Sequence, residues 1–138
     1  MRKMVDYKRL IISTITGAVL GVACILGVGQ RIPGGYTGDG NLSYLFGIWA
    51  MRVLLGIMIG LAAGIVFIKG EGWERWVNAG VRGTIFGLLF SVAILLMDKY
   101  FEAGIATSIA GIAYGLIIDL IATFFTRKRK KNLQKTRD

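Results

Sequence analysis

The sequence predicts an all-α protein: a bundle of four transmembrane helices with both termini in the cytoplasm. Three observations carry that prediction. Four apolar runs are each long enough to cross a bilayer. Most charged residues lie outside them, at the ends of the chain and in short connections. The lysines and arginines also fall overwhelmingly on one side of the resulting threading. Composition agrees, because soluble chains hold about 45–50% apolar and about 25% charged residues. This chain of 138 residues has 54% hydrophobic and 18% charged residues. Its mean hydropathy is +0.61.

The four runs cover residues 10–28, 44–68, 77–97 and 104–125. About 20 apolar residues suffice to cross roughly 30 Å of hydrocarbon. The first run follows basic residues, as a signal peptide does, but it is long for such a segment and no small-x-small cleavage site follows it. It is therefore expected to span. All four runs are expected to be helices, since a backbone in lipid has no water to bond and must satisfy its own polar groups. They lack the alternation of a β-barrel strand.

With the N-terminus inside, thirteen of the seventeen basic residues fall on the cytoplasmic side, and Arg31 and Lys99 fall outside. Arg52 and Arg82 lie within runs. Such an excess predicts both termini inside the cell, at the plasma membrane. Trp73, Trp76, Tyr36, Tyr44 and Tyr100 lie near the ends of runs, where amphipathic rings settle at the interface. Residues 126–138 form a basic cytoplasmic tail, and Arg127, Lys128, Arg129, Lys130 and Lys131 are placed to attract anionic lipid headgroups. The tail lacks the interleaved aromatics and folded scaffold that would suggest nucleic acid.

Several chemistries are excluded. With no histidine and one cysteine, Cys24, the chain has neither a His/Cys zinc site nor an internal disulfide or redox pair. Cys24 is expected to be a small packing residue. "GVAC" lacks the leucine of a lipoprotein box. No nucleotide-binding glycine motif is present, and "TGDGN" has too few carboxylates for a calcium loop. No cofactor is expected. Asn41-Leu42-Ser43 is a glycosylation sequon, a tripeptide common by chance and here almost at the membrane surface. Ser91 and Ser108 lack an obvious base, and no run holds two carboxylates, so no enzyme is expected.

Residues four apart share one face of a helix. At that spacing the runs read Ser13, Gly17, Gly21; then Arg52, Gly56, Gly60, Gly64; then Ala79, Gly83, Gly87, Ser91; then Ala103, Thr107, Gly111, Gly115, Asp119. Lipid offers apolar side chains no reason to hide, so association in a membrane relies on close packing and polar bonds, and small residues permit both. These rows are expected to be packing seams. The second is the best candidate for a seam between subunits. A shift of 55 places Gly56 and Gly60 on Gly111 and Gly115, and a shift of 66 places Gly17 and Gly21 on Gly83 and Gly87. These shifts raise the possibility of a parallel two-helix repeat.

Arg52 and Asp119 sit on the rows, and a charge in the bilayer centre costs about 2.5–3.5 kcal/mol on insertion scales. Both are therefore expected to be sheltered. Arg52 has Asp119, Asp98, Glu102 and Asp39 as candidate partners, and Asp119 has Arg82, Ser13, Thr14 and Thr16. The chain is similar in size and helix count to the small multidrug transporters. Those rely on a glutamate in the first helix, where this chain has no acid, so the likeness stops at architecture. The leading functional expectation is a non-enzymatic structural or accessory subunit, working as a homo-oligomer or within a larger membrane complex. The alternative is a small channel or transporter that uses Asp119 and Arg52, with Arg82 nearby.

Overall fold

The structure, a computed structural model, describes residues 6–70, 72–97 and 101–135, with side chains described outside 101–104 and 127–135. The described residues form α1 (Tyr7–Gly29), α2 (Asn41–Leu61), α3 (Glu74–Met97) and α4 (Phe101–Lys135), with single 3-10 turns at Gly35–Thr37 and Ala62–Gly64. Four helical segments are long and apolar enough to cross a membrane: Tyr7–Gly29, Asn41–Gly64, Glu74–Met97 and Ile105–Thr126. The side chains of Arg127, Lys128, Arg129, Lys130 and Lys131, like Asp98, Lys99, Tyr100 and the side chain of Glu102, lie outside the described residues.

Boundaries follow local chemistry. Asp6 caps α1, its carboxylate accepting from the Arg9 amide at 3.4 Å. Gly40, at φ 76°, occupies the left-handed region that a side chain disfavours and turns the chain into α2. The Asn41 amide nitrogen donates to the carbonyls of Pro33 and Gly35 at 2.9 and 2.8 Å. That residue is buried, so the sequon's acceptor nitrogen is already committed to the loop. The second apolar run does not remain helical to residue 68. The Asn78 carboxamide takes up the backbone there, accepting from the amides of Phe67 and Ile68 and donating to the Ile68 carbonyl. That side chain supplies the hydrogen bonds another helical turn would have made.

Two tight hairpins result, α1 with α2 and α3 with α4; they meet mainly along α1 and α4, and α2 approaches α3 far less. Each hairpin is closed by backbone contact at glycines. A methyl group at Gly17 would stand 2.5 Å from the Arg52 carbonyl, and one at Gly87 would stand 2.8 Å from the Gly111 carbonyl. A methyl at Gly56 would strike the Ser13 carbonyl, and one at Gly115 the Gly83 carbonyl. Gly21 lies against Trp49 and the stem of Arg52, Gly60 against Ser13 and Leu10, and Gly83 against Gly115 and Asp119. The second row is therefore occupied inside the chain by the first, which removes it as the best candidate for a seam between subunits. Gly64 leaves the row altogether: it falls in the 3-10 turn beyond α2, where a methyl would meet nothing within 4 Å.

The matching contacts equate Ser13 with Gly83, Gly17 with Gly87, Arg52 with Gly111 and Gly56 with Gly115. That register differs by one helical turn from the one found by shifting the sequence. Rows that repeat every four residues overlay small on small equally well after such a slip, so composition alone cannot choose between them.

The surface is unusually apolar and the interior is mixed. Ile11, Ile15, Val19, Leu89 and Leu96 are exposed, while Arg9, Ser13, Arg52, Ser91, Thr107 and Asp119 are buried beside Leu45, Leu55, Ile59 and Ile118. In water the first group would hide and the second would not.

Overpacking a close contact costs about 1–3 kcal/mol. Gly115→Ala is expected to destabilise the protein by that amount, because backbone must move, while Gly64→Ala stays within about 0.5 kcal/mol. Thermal unfolding in mild detergent compares them, and equal effects would contradict the glycine contacts.

Candidate functional site

Two groups of buried charge occupy different levels of the bundle. The first lies where the starts of α1 and α3 meet the ends of α2 and α4. Asp119 on α4 is fully buried between two arginines. Arg82 on α3 grips it with both prongs, Nε to Oδ2 at 2.7 Å and Nη2 to Oδ1 at 2.8 Å. Arg9 on α1 pairs with Oδ1 through Nη2 and reaches Thr123 Oγ1 at 3.1 Å through Nη1. The remaining Arg82 nitrogen, Nη1, donates to the carbonyls of Ala62 and Ile65 at 3.2 and 3.0 Å. The last carbonyls of a helix have no partner within it and carry its negative end. One arginine thus holds the carbonyls that follow α2 and pairs with Asp119 of α4, so the cluster joins α1, α3, α4 and the segment after α2.

The second group is Arg52, at the middle of α2 and 0% exposed. Its Nη2 donates to the Thr107 carbonyl at 2.7 Å and lies 3.9 Å from Cys24 Sγ. Its guanidinium carbon sits 5.6 Å from the centre of the Tyr114 ring, within range of a cation–π attraction. Gly111 makes the room: a methyl there would collide with Arg52 Nη1 and Ser91 Oγ. Nε and Nη1 find no acceptor. Among the described residues, no carboxylate forms an ion pair with Arg52.

Beside Arg52, between α1 and α4, is a cavity of about 140 Å³. Its lining includes Cys24, Gly27, Arg31, Thr107, Ala110 and Tyr114. Three of these, Cys24, Thr107 and Tyr114, are the groups that touch Arg52. Arg31 is exposed at the far end of α1.

Of the candidates named from the sequence, Arg82 and Asp119 come together and Arg52 stands apart from them. Arg52 pairs with neither Asp119 nor Asp39, and Asp119 takes arginines rather than Ser13, Thr14 or Thr16. Those three hydroxyls instead donate to carbonyls of their own helix. The crossing of the helices decides this, since Asp119 faces the start of α1 and Arg52 faces its second half. Arg9, one of the thirteen basic residues that the threading places on the cytoplasmic side, is buried here at only 6% exposure. The signal for it was present: Arg9 precedes Ser13 by one turn and begins the row that continues through Gly17 and Gly21. Cys24 and Tyr114 gain a role beyond packing as walls of the cavity. Ser91 and Ser108 each donate to the other's carbonyl, at 2.8 and 3.0 Å, which ties α3 to α4.

No known family, curated protein or solved structure matches this chain.

Removing one partner of a buried ion pair costs about 3–5 kcal/mol, since the other charge stays buried and unpaired. Asp119→Asn strands two arginines and is expected to destabilise by about that much. Thr123→Val, which removes one neutral hydroxyl, is expected to cost about 1 kcal/mol. Thermal unfolding in detergent measures both, and a neutral Asp119→Asn would show that the cluster does not hold the bundle together.

Proposed function

We propose that this chain is a non-enzymatic, multi-pass integral membrane protein with both termini in the cytoplasm, and that it works as a small channel or transporter. In this reading Arg52 is the charge its solute meets and Asp119 is structural. The observation that carries it is the state of Arg52, fully buried with no carboxylate partner among the described residues and held by Cys24, Thr107 and Tyr114, which also line a cavity. An ionisable group held inside a membrane protein marks a solute path by default, and Arg52 is the buried arginine that no carboxylate pairs with among the described residues. Asp119 is already committed to Arg9 and Arg82, so it is a poor proton or cation carrier.

Membrane residence is supported by the four long apolar helices and by the apolar surface. The excess of basic residues at the chain's two ends supports the orientation. The serine hydroxyls committed to helix pairing argue against nucleophilic catalysis. The matched hairpins suggest the moving parts, with each hairpin rigid through its glycine contacts and the looser α1–α4 boundary as the place to open. Rocking of repeated units about a fixed site is a known solution to alternating access.

A second reading, the accessory or self-associating subunit, is favoured by a different observation. An apolar groove of about 320 Å³ lies between α2 and α3, lined by Tyr44, Gly47, Ile48, Met51, Ile94 and Met97 among others. A methyl at Gly47 would meet nothing within 4 Å. Bilayer lipid or a partner helix would fill that groove.

Proteoliposome flux, screened over neutral, cationic and anionic solutes, separates the two readings. Transport predicts measurable flux that falls at least about tenfold in Arg52→Met, as expected when a charge-assisted bond of about 1.5–3 kcal/mol is lost. Absence of flux for every solute, together with a native mass above that of one chain, would favour the subunit instead.

A further inference from the structure

We infer that the cavity between α1 and α4 binds a compact monovalent inorganic anion, of the halide or nitrate class, between Arg31 at its exposed end and Arg52 behind its inner wall. This deepens the transport reading and rests on it for the anion's role in transport. The binding itself is argued from charge and space.

The buried charges do not balance. Among the described residues the fully or nearly fully buried ionised groups are Arg9, Arg52, Arg82 and Asp119. The single carboxylate is shared by two guanidiniums, so the inner cluster is itself cationic, and Arg52 adds a second uncompensated charge. A cation buried without a counter-ion is costly, by several kcal/mol even after relaxation. Arg52 is relieved only by one carbonyl, a thiol and the Tyr114 ring face, none of which carries a full negative charge at neutral pH. An anion in the adjoining space would supply it. Arg31 extends the positive lining to the exposed end of the cavity, and walls of one sign raise the local concentration of the opposite ion.

Size sets the class. The share of one water molecule in the liquid is about 30 Å³. An open-sided cavity of about 140 Å³ therefore has room for a small ion that keeps part of its water. The lining favours a weakly hydrated ion, since Cys24, Gly27, Ala110 and the Tyr114 ring offer few groups to replace a tightly held water shell. A cation is opposed by both arginines.

The test uses the full chain, purified in mild detergent, with sodium chloride or sodium nitrate exchanged for sodium gluconate at constant ionic strength. A ligand that binds only the folded state raises its stability as it saturates the site. Wild type is expected to show a saturable rise in Tm with chloride or nitrate. Arg31→Gln, an exposed residue outside the packing, is expected to fold normally and weaken the apparent affinity about tenfold, the size of one charge-assisted bond. A Tm that ignores the anion, an equal response in Arg31→Gln, or stabilisation by an anionic phospholipid but by neither salt would each overturn the inference. Flux measured on the same samples separates the two claims. Binding without flux makes the anion a structural counter-ion and defeats the transport reading alone. Flux of another solute without halide or nitrate binding defeats the anion and leaves transport standing.

Discussion

Four helical segments are apolar enough to cross a membrane, and lipid would give an apolar side chain little reason to turn inward. In water a bundle coheres by hiding its leucines; here Ile11, Ile15 and Val19 face outward while Leu45, Leu55, Ile59 and Ile118 lie inside. Cohesion must come from close dispersion contact and from polar bonds whose alternative is hydrocarbon. Close contact needs bare backbone, which explains why Gly17 and Gly56 meet the carbonyls of the opposite helix, and why Gly87 and Gly115 do the same in the second hairpin. Polar bonds need interior positions, which explains why serine, threonine, arginine and aspartate share the interior with Leu45, Leu55, Ile59 and Ile118.

The two sources of cohesion work at different scales. Glycine contacts make each hairpin, and they are local in the chain apart from one turn. The cluster around Asp119 joins one hairpin to the other, because Arg9 comes from the first while Arg82 and Asp119 come from the second. Arg82 also takes carbonyls of the segment that follows α2, so both arms of the first hairpin are tied to the second there. Farther along the bundle Arg52 bonds the Thr107 carbonyl across the hairpins, beside the cavity between α1 and α4.

Much of this was legible in the sequence. Long apolar runs, the absence of histidine and rows of small residues are one-dimensional facts, and they gave four helices and the faces that would pack. Arg52 and Asp119 could be assigned to those faces because their spacing from glycines is fixed by the helix. Which row meets which was not legible. Gly56 and Gly60 read equally well as an outward seam until the crossing of α1 and α2 brought Ser13 against them. The register of the two hairpins was undetermined for the same reason, since a four-residue slip preserves the pattern. The end of α2 was hidden because Ile65 to Ile68 are as apolar as the helix before them. What ends the helix there is the Asn78 carboxamide ten residues away. Arg9 was missed because a basic residue at the start of a membrane helix is ordinarily a flank.

The contrast between the two charge groups bears on what the protein can handle. At matched contact positions α2 carries Arg52 where α4 has Gly111, and Gly111 is what leaves space for the guanidinium. The hairpins are therefore alike in packing and unlike in charge. Asp119, the one buried acid among the described residues, is held by two arginines. In the proposed reading an anion would meet Arg31 at the rim, with Arg52 behind the wall. Of the two ion pairs, Arg9–Asp119 is the one that joins separate hairpins, and Arg82 would keep the carboxylate neutralised if that pair opened.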